Sequence, residues 1–287
     1  MVKIISDSTC DLSKELLDKY DISVLPLHII LGMEEYKDGV EISPDKIFEW
    51  SDANKTTPKT SSSSLVEAID MLTPYVEKGI EVVCFSISDS MSTSGNVVRL
   101  AVKELKAQNL VHVIDSANLS TGVGLQVIEA AVMAQNGKDA SEIVAGMEKL
   151  KPFVRSSFVV DTLTYLYRGG RCSAVSAMAG GMLKLHPMIV VKDGKMEVAK
   201  KYRGKIQNVI MDYIKDMEAE LKRAKKDRVF ITHSGCDSDT IKDVKIYLES
   251  LNVFDEILET RAGGVVSSHC GPGTLGVLYI EENGNGE

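Results

Sequence analysis

Ile4-Ile5-Ser6-Asp7-Ser8, Ser86-Ile87-Ser88-Asp89-Ser90 and Val113-Ile114-Asp115-Ser116 repeat one pattern, an apolar run that leaves into Asp-Ser. Each reads as a strand followed by a helix. If the strands are parallel, their carboxyl ends share one edge of the sheet, where ligands of open α/β folds bind. Three hydroxyl-rich turns are then expected to converge, each beside a helix whose free N–H groups favour anions. Asp and Ser are also ordinary N-caps and turn residues, so the pattern leaves a binding edge and simple capping both open.

Working outward, the apolar runs at 2–5, 22–31, 81–87 and 110–114 alternate with helical periodicity at 12–19, 64–78, 97–108, 124–136 and 141–150. Strands separated by amphipathic stretches of this kind are βαβ units, and predict a mostly parallel sheet with helices on both faces. Ser43-Pro44 reads as an N-cap and first helical residue opening a helix over 45–50. The second half differs. A strand at 157–160 precedes runs at 188–191 and 196–199 around Asp193-Gly194, a hairpin signal that brings antiparallel pairing. A long helix over 205–225, strands at 229–232 and 256–260, a helix over 239–251 and a closing strand at 277–280 complete a mixed α/β pattern. The chain has 287 residues, and at about 150 residues per domain two domains are expected. Lys151-Pro152-Phe153 marks the boundary, since Pro disfavours helix before it. The fold class is therefore α/β, with a parallel N-terminal domain over 1–153, a mixed C-terminal domain over 154–281 and a frayed polar tail over 282–287.

Composition narrows the function. With 44% hydrophobic and 26% charged residues the chain is an ordinary folding sequence. A net charge of −8 argues against a general nucleic-acid or acidic-membrane binder. The N-terminus acquires an acid at Asp7 without a signal-peptide core, and the apolar stretch 174–191 is interrupted by Lys184, His186 and Pro187, so neither export nor a membrane span is expected. Five scattered cysteines without C-x-x-C suggest neither disulfides nor zinc, and a cytoplasmic protein is the reading that follows. The interior is aliphatic and thioether in kind, with 12 Met, one Trp and 6% aromatic residues.

Hydroxyls cluster in Thr56-Thr57-Pro58-Lys59-Thr60-Ser61-Ser62-Ser63-Ser64 and in Ser92-Thr93-Ser94-Gly95 before a helix. Neutral donors at a helix N-terminus suit a single carboxylate, whereas a doubly charged group is better served by an arginine clamp. By composition alone Ser61 to Ser64 reads equally as a flexible surface loop. Gly271-Pro272-Gly273-Thr274-Leu275-Gly276 spells G-x-G-x-x-G, but a strand follows it where a dinucleotide fingerprint needs a helix. Asp7 and Asp11 lack the second acid, two residues on, that a phosphoaspartate strand end would use for Mg²⁺. The histidines are scattered singly, so no metal site is expected and no cofactor is implied. His269 lies between Ser267-Ser268 and a Gly-Pro-Gly turn, where it either faces a cavity or serves as a structural donor. Tyr167-Arg168-Gly169-Gly170-Arg171 and Lys200-Lys201-Tyr202-Arg203-Gly204-Lys205 are basic patches on an acidic protein, either solvated surface or a docking face.

Taken together, Asp7-Ser8-Thr9-Cys10-Asp11-Leu12, Thr60-Ser61, Asp115-Ser116 with Ser120-Thr121-Gly122-Val123-Gly124, Leu163 to Arg171 ending in Gly-Gly-Arg, and His269-Cys270-Gly271-Pro272-Gly273-Thr274 resemble the DegV family of bacterial fatty-acid-binding proteins over essentially the whole chain. The resemblance implies a two-domain α/β carrier that buries one long-chain fatty acid and holds its carboxylate with hydroxyls. Thr60 and Ser61 match the family's carboxylate loop, Ser92 its helix-opening serine, His269 the histidine before Gly-Pro-Gly and Arg171 the arginine of Gly-Gly-Arg. Arg203, with neighbouring Lys201, falls in the basic segment that would meet a soluble fatty acid kinase, which converts the bound carboxylate into an acyl phosphate. The resemblance thus implies a substrate-presenting subunit with the fatty acid as its only ligand and no catalytic residue of its own. Two departures lie at the expected head-group site, Ser92-Thr93-Ser94-Gly95 where Ser-Gly-Thr-Tyr is usual, and Ser62-Ser63 where Gln-Pro is common. Two other readings are a serine-dependent acyl hydrolase or transferase pairing Ser61 or Ser92 with His269, and a lipid-loaded sensor that docks a partner through Lys200 to Lys205. Residues 178–188, rich in Met, are expected to line the acyl tunnel.

Overall fold

The strand ends quoted above do lie side by side. In the structure, a computed structural model that describes residues 1–173 and 185–282, β1 (Lys3–Asp7) pairs in parallel with β2 (Ile22–Leu25) and β6 (Val82–Ser86), and β6 pairs in parallel with β7 (Val111–Asp115). The order β2-β1-β6-β7 puts the three Asp-Ser turns on one edge. Alternation along β1 sends Ile4 and Ile5 to opposite faces, as a period of two requires. Ile4 joins Val83, Ile128 and Ile143 from α5 (Thr121–Gln135) and α6 (Ala140–Leu150). Ile5 joins Leu72 and Val98 from α3 (Leu65–Val76) and α4 (Ser94–Glu104). Helices therefore cover both faces.

Residues 22–31 are not one strand. Pro26, which has no N–H to donate, follows β2, and the chain turns into β3 (His28–Leu31). That strand is the centre of an antiparallel sheet of order β4-β3-β5, with β4 (Glu34–Lys37) and β5 (Lys59–Ser61) on its edges. Neither edge strand has the apolar alternation that marks a strand in sequence, because tertiary pairing with β3 supplies the order. The hydroxyl run is correspondingly not a loose loop. Ser61 belongs to β5, Ser63 is buried, and Ser64 accepts from the Glu67 N–H to cap α3.

The second sheet has six strands in the order β10-β9-β8-β13-β11-β12, formed by β8 (Val154–Val159), β9 (Leu185–Lys192), β10 (Lys195–Arg203), β11 (Ala224–Ser234), β12 (Glu256–Arg261) and β13 (Thr274–Glu281). It is antiparallel except for the β11–β12 pair, hence mixed as expected. Asp193 and Gly194 both have positive φ, 48° and 75°, as a tight two-residue hairpin turn needs. The expected helix over 205–225 is shorter. It runs from Ile206 to Asp216 and continues as one turn, Glu218–Leu221, and Ala224 already belongs to β11. The polar segment Lys225-Lys226-Asp227-Arg228 suits a helix locally, but Glu129 of α5 pairs with Lys225 and Arg228 and holds it extended beside the sheet.

α5 lies where the two sheets meet. It is buried around most of its circumference, the mark of an interior helix. Leu278, Ile280 and Val154 of the six-stranded sheet belong to the same apolar cluster as Ile4 and Val83 of the parallel one. Two short helices absent from the sequence reading, α7 (Thr164–Gly169) and α11 (Gly264–Cys270), complete the surroundings of the site. The expected Met-rich tunnel segment lies, except for residues 185–188, outside the described residues, as does the tail from 283. Among the described residues no helix is long and apolar enough to cross a membrane.

Candidate functional site

The acids of the three Asp-Ser turns act mainly as mortar. Asp7 is fully buried and accepts from the Ile87 N–H at 2.9 Å, the Ser94 hydroxyl at 2.9 Å and the Thr9 N–H at 3.1 Å, which ties the end of β1 to the end of β6 and the start of α4. Burial pushes its pKa up against these bonds. Asp115 accepts from the Asp89 and Ala117 N–H groups. The hydroxyls are engaged too, Ser8 with Asp38, Ser88 with the Gly194 carbonyl and Ser116 with the Asn118 carbonyl. Of the two readings left open for these turns, capping and framework bonding describe most of their polar groups. They converge, and of the three the β6 turn, through Asp89 and Ser90, borders the cavity that gathers the expected ligand residues.

That cavity holds about 490 Å³, within the ~300–1,000 Å³ typical of small-molecule sites. Every residue expected at the ligand lines it: Thr60, Ser61, Ser92, Thr93, Arg171 and His269. Four segments far apart in sequence bring them together. Thr60 and Ser61 come from β5, Ser92 and Thr93 from the turn opening α4, Arg171 from just beyond α7, and His269 from the last turn of α11. Thr93 stands at the N-cap of α4 without a capping bond from its side chain, and the Ser94 N–H is taken by the Ser92 hydroxyl at 3.2 Å. Ser62, Asp89 and Ser90 add polar groups, and the rest of the lining is apolar: Leu27, Ile87, Met91, Leu119 and Met196, with Val265, Val266 and Cys270 of α11.

α11 supplies four lining residues, and two carboxylates hold its start. Asp11 accepts from the Gly263 N–H at 2.8 Å and Asp38 from the Gly264 N–H at 2.7 Å. Burial pushes Asp11 up to about 8 and also raises Asp38. At the other end, His269 Nε2 lies 2.8 Å from the Thr60 hydroxyl, and its Nδ1 is buried without a hydrogen-bond partner. Burial, with the Arg171 guanidinium nearby, pushes the imidazole down to about 4, so it is neutral near pH 7. Gly169 packs against the ring so closely that a Cβ there would stand 2.4 Å from Nδ1. Arg171 Nη1 donates to the Gly169 carbonyl at 2.6 Å. The Gly-Gly-Arg run thus seats the histidine and puts a cation at the cavity.

Lys201 and Arg203 do not line the cavity. Both are exposed on β10, an edge strand of the six-stranded sheet, with Tyr202 turned into the core between them. Asp89, Met196 and the residues of α11 other than His269 are not among the site residues expected from the sequence. Asp89 stood in the quoted Ile87-Ser88-Asp89-Ser90 signature, whereas nothing local marks Val265 or Met196 as facing a ligand. No group of three or more His, Cys, Asp or Glu suited to a metal occurs among the described residues.

A family model described as an uncharacterised protein of the DegV family matches residues 1–282. A DegV domain-containing protein of Clostridium perfringens is 34% identical, the match covering 98% of this chain and 99% of that one. One from Deinococcus radiodurans is 31% identical over 96% of this chain and 97% of its own. Among solved structures, a DegV family protein of Thermus thermophilus described as fatty-acid-binding superposes with a TM-score of 0.88 at 29% identity, covering 98% and 99% of the two chains. A stearic-acid-binding protein of Eubacterium ventriosum superposes with a TM-score of 0.86 at 30% identity and the same coverage. With the family match spanning nearly its whole length, the chain belongs to the DegV family.

Proposed function

We propose that this protein is a cytoplasmic, non-catalytic carrier that binds one long-chain fatty acid and presents its carboxylate to a soluble fatty acid kinase for conversion to an acyl phosphate. The observation that carries this reading is the composition of the 490 Å³ cavity, an aliphatic and thioether wall with neutral hydroxyls and one arginine grouped on it. A carboxylate suits such donors, because hydrogen bonds to a charged group are worth about 1.5–3 kcal/mol each. With His269 neutral, the pair His269–Thr60 acts as a relay of dipoles. In the Nε2–H tautomer the ring donates to the Thr60 oxygen, which frees the Thr60 O–H for the ligand. An acyl tail gains about 0.8 kcal/mol per buried CH₂, which favours long chains. In this reading residues 1–153 and 154–281 form two units sharing one ligand, the first supplying Thr60, Ser61, Ser92 and Thr93 and the second Arg171 and His269, while Arg203 and Lys201 meet the kinase. Solved relatives described as fatty-acid-binding support it.

The hydrolase reading has less support. His269 Nε2 pairs with a threonine, and its Nδ1 faces no carboxylate to orient it as a base. Delipidated protein titrated with saturated acids of increasing chain length tests the carrier. Thermal stabilisation that grows with length, and a single copurifying acid in native mass spectra, are the expected results. No stabilisation by any fatty acid sinks the reading, since a ligand specific to the native state must raise its stability.

A further inference from the structure

The charged residues lining the cavity, among those described, are Arg171 and Asp89. An acid is an odd neighbour for an anionic ligand, and this one is built in. Asp89 lies in the turn that carries Ser90, Ser92 and Thr93, and Arg99 of α4 grips its carboxylate with both terminal nitrogens, at 2.7 and 3.3 Å. Arg99 is itself oriented by the Asn96 side chain at 2.8 Å. The pair rests over Gly95, where a Cβ would stand 2.6 Å from both Asp89 Oδ1 and the Ser86 hydroxyl, a buried group with no partner. A side chain at 95 would unseat it. Asp89 lines the cavity and Arg99 does not, so of this ion pair it is the acidic partner that borders the cavity.

We infer that Asp89, held by Arg99, is a specificity-determining residue that lets the site accept a singly charged carboxylate head group and disfavours a doubly charged phosphate one. The inference rests on the fatty-acid reading above and deepens it. Among the described lining residues Arg171 is the cation left for the ligand, Arg99 being spent on Asp89, so a second negative charge on the ligand meets Asp89 with no further cation to offset it. A site so arranged takes up the acid and lets go of its phosphorylated product.

The test compares a saturated fatty acid with an alkyl phosphate of equal chain length near pH 8, where a phosphate of second pKa about 6 is a dianion. Dissociation constants and melting temperatures are measured for the wild type, Asp89→Asn and Arg99→Gln. The wild type is expected to bind the carboxylate more tightly. Asp89→Asn is expected to raise phosphate affinity about tenfold, equivalent to about 1.4 kcal/mol, and fatty-acid affinity less, so the preference narrows. Arg99→Gln leaves the acid uncompensated and is expected to widen it, which keeps the test decisive if Asp89→Asn folds poorly. A merely structural pair would lower melting temperature and weaken both ligands equally, and an unchanged ratio in both variants overturns the inference. If the fatty acid fails to bind the wild type, the carrier reading itself falls and takes the inference with it.

Discussion

His269 shows how far one residue's role depends on its surroundings. In sequence it was a lone histidine before a Gly-Pro-Gly turn, as consistent with a structural donor as with a ligand contact. In the structure its burial and the charge of Arg171 hold it neutral, with a pKa near 4, so it works through Thr60 as a fixed dipole. Two outcomes follow. Thr60→Val, which keeps shape and removes the hydroxyl, is expected to weaken fatty-acid binding about ten- to hundredfold, the worth of a hydrogen bond to a charged group, and also to lower the melting temperature of the free protein, because it leaves the buried His269 Nε2 unpaired. Isothermal titration decides it, and undiminished affinity would place the head group elsewhere. Fatty-acid affinity is also expected to lack any step near pH 6.5 that disappears in His269→Gln. A rise in affinity between pH 7 and 6 that this variant abolishes would show that the ring charges in the site. The Asp7 carboxylate, for its part, is consumed by backbone and hydroxyl donors.

Among the elements, strands and helices with strong periodicity were legible, and those held by tertiary pairing were not. β1, β6 and β7 are apolar runs of the kind buried parallel strands require. β4, with the sequence Glu-Glu-Tyr-Lys, and β5, inside a hydroxyl run, are strands only because β3 lies between them. The hairpin β9–β10 was legible through Asp193-Gly194, and its far end bears the basic patch. Along β10 the period of two puts Lys201 and Arg203 on the exposed face, while Lys200 is drawn aside by Asp216 and the Tyr202 ring. Arg203→Glu is expected to abolish binding to a partner kinase in a pull-down and to leave fatty-acid affinity within about twofold, as a surface charge distant from the ligand should. Retained partner binding would remove β10 from the docking face. The α7 terminus makes a sharper demand. Gly169→Ala would place its methyl 2.4 Å from His269 Nδ1, and is expected to reduce fatty-acid affinity at least tenfold by turning the ring off Thr60. Wild-type affinity in that variant would show that the ring yields without consequence.

For the molecule as a whole, three buried carboxylates sit where the parallel sheet, the small antiparallel sheet and α11 meet. Asp7, Asp11 and Asp38 all have pKa values raised by burial, Asp11 to about 8 from an ordinary 3.8. A carboxyl whose pKa is higher in the folded state contributes its stability fully below the unfolded value and loses it as pH rises through the folded one. The window for Asp11 is therefore about pH 4 to 8, with stability falling as pH rises. Asp11→Asn, which can still accept from the Gly263 N–H, is expected to flatten that slope and to be relatively more stable above pH 8. Urea midpoints across the range measure it, and an unchanged slope would show that Asp11 does not titrate there. Asp11 and Asp38 hold the start of α11, whose last turn carries His269, so the same junction fixes both stability and cavity shape.

The sequence by itself determined the α/β class, the parallel and mixed character of the two large sheets, and a set of polar residues that the structure gathers around one cavity. Those features follow from local periodicity, turn chemistry and family likeness, which survive without knowledge of distant contacts. Only the tertiary structure decided which hydroxyls are available and which are spent on the framework, that His269 is neutral and leans on Thr60, and that Asp89 borders the cavity while its partner Arg99 does not. Burial and partner choice arise between residues up to 252 positions apart, as between Asp11 and Gly263, and no pattern along the chain encodes which of two neighbouring serines will turn inward.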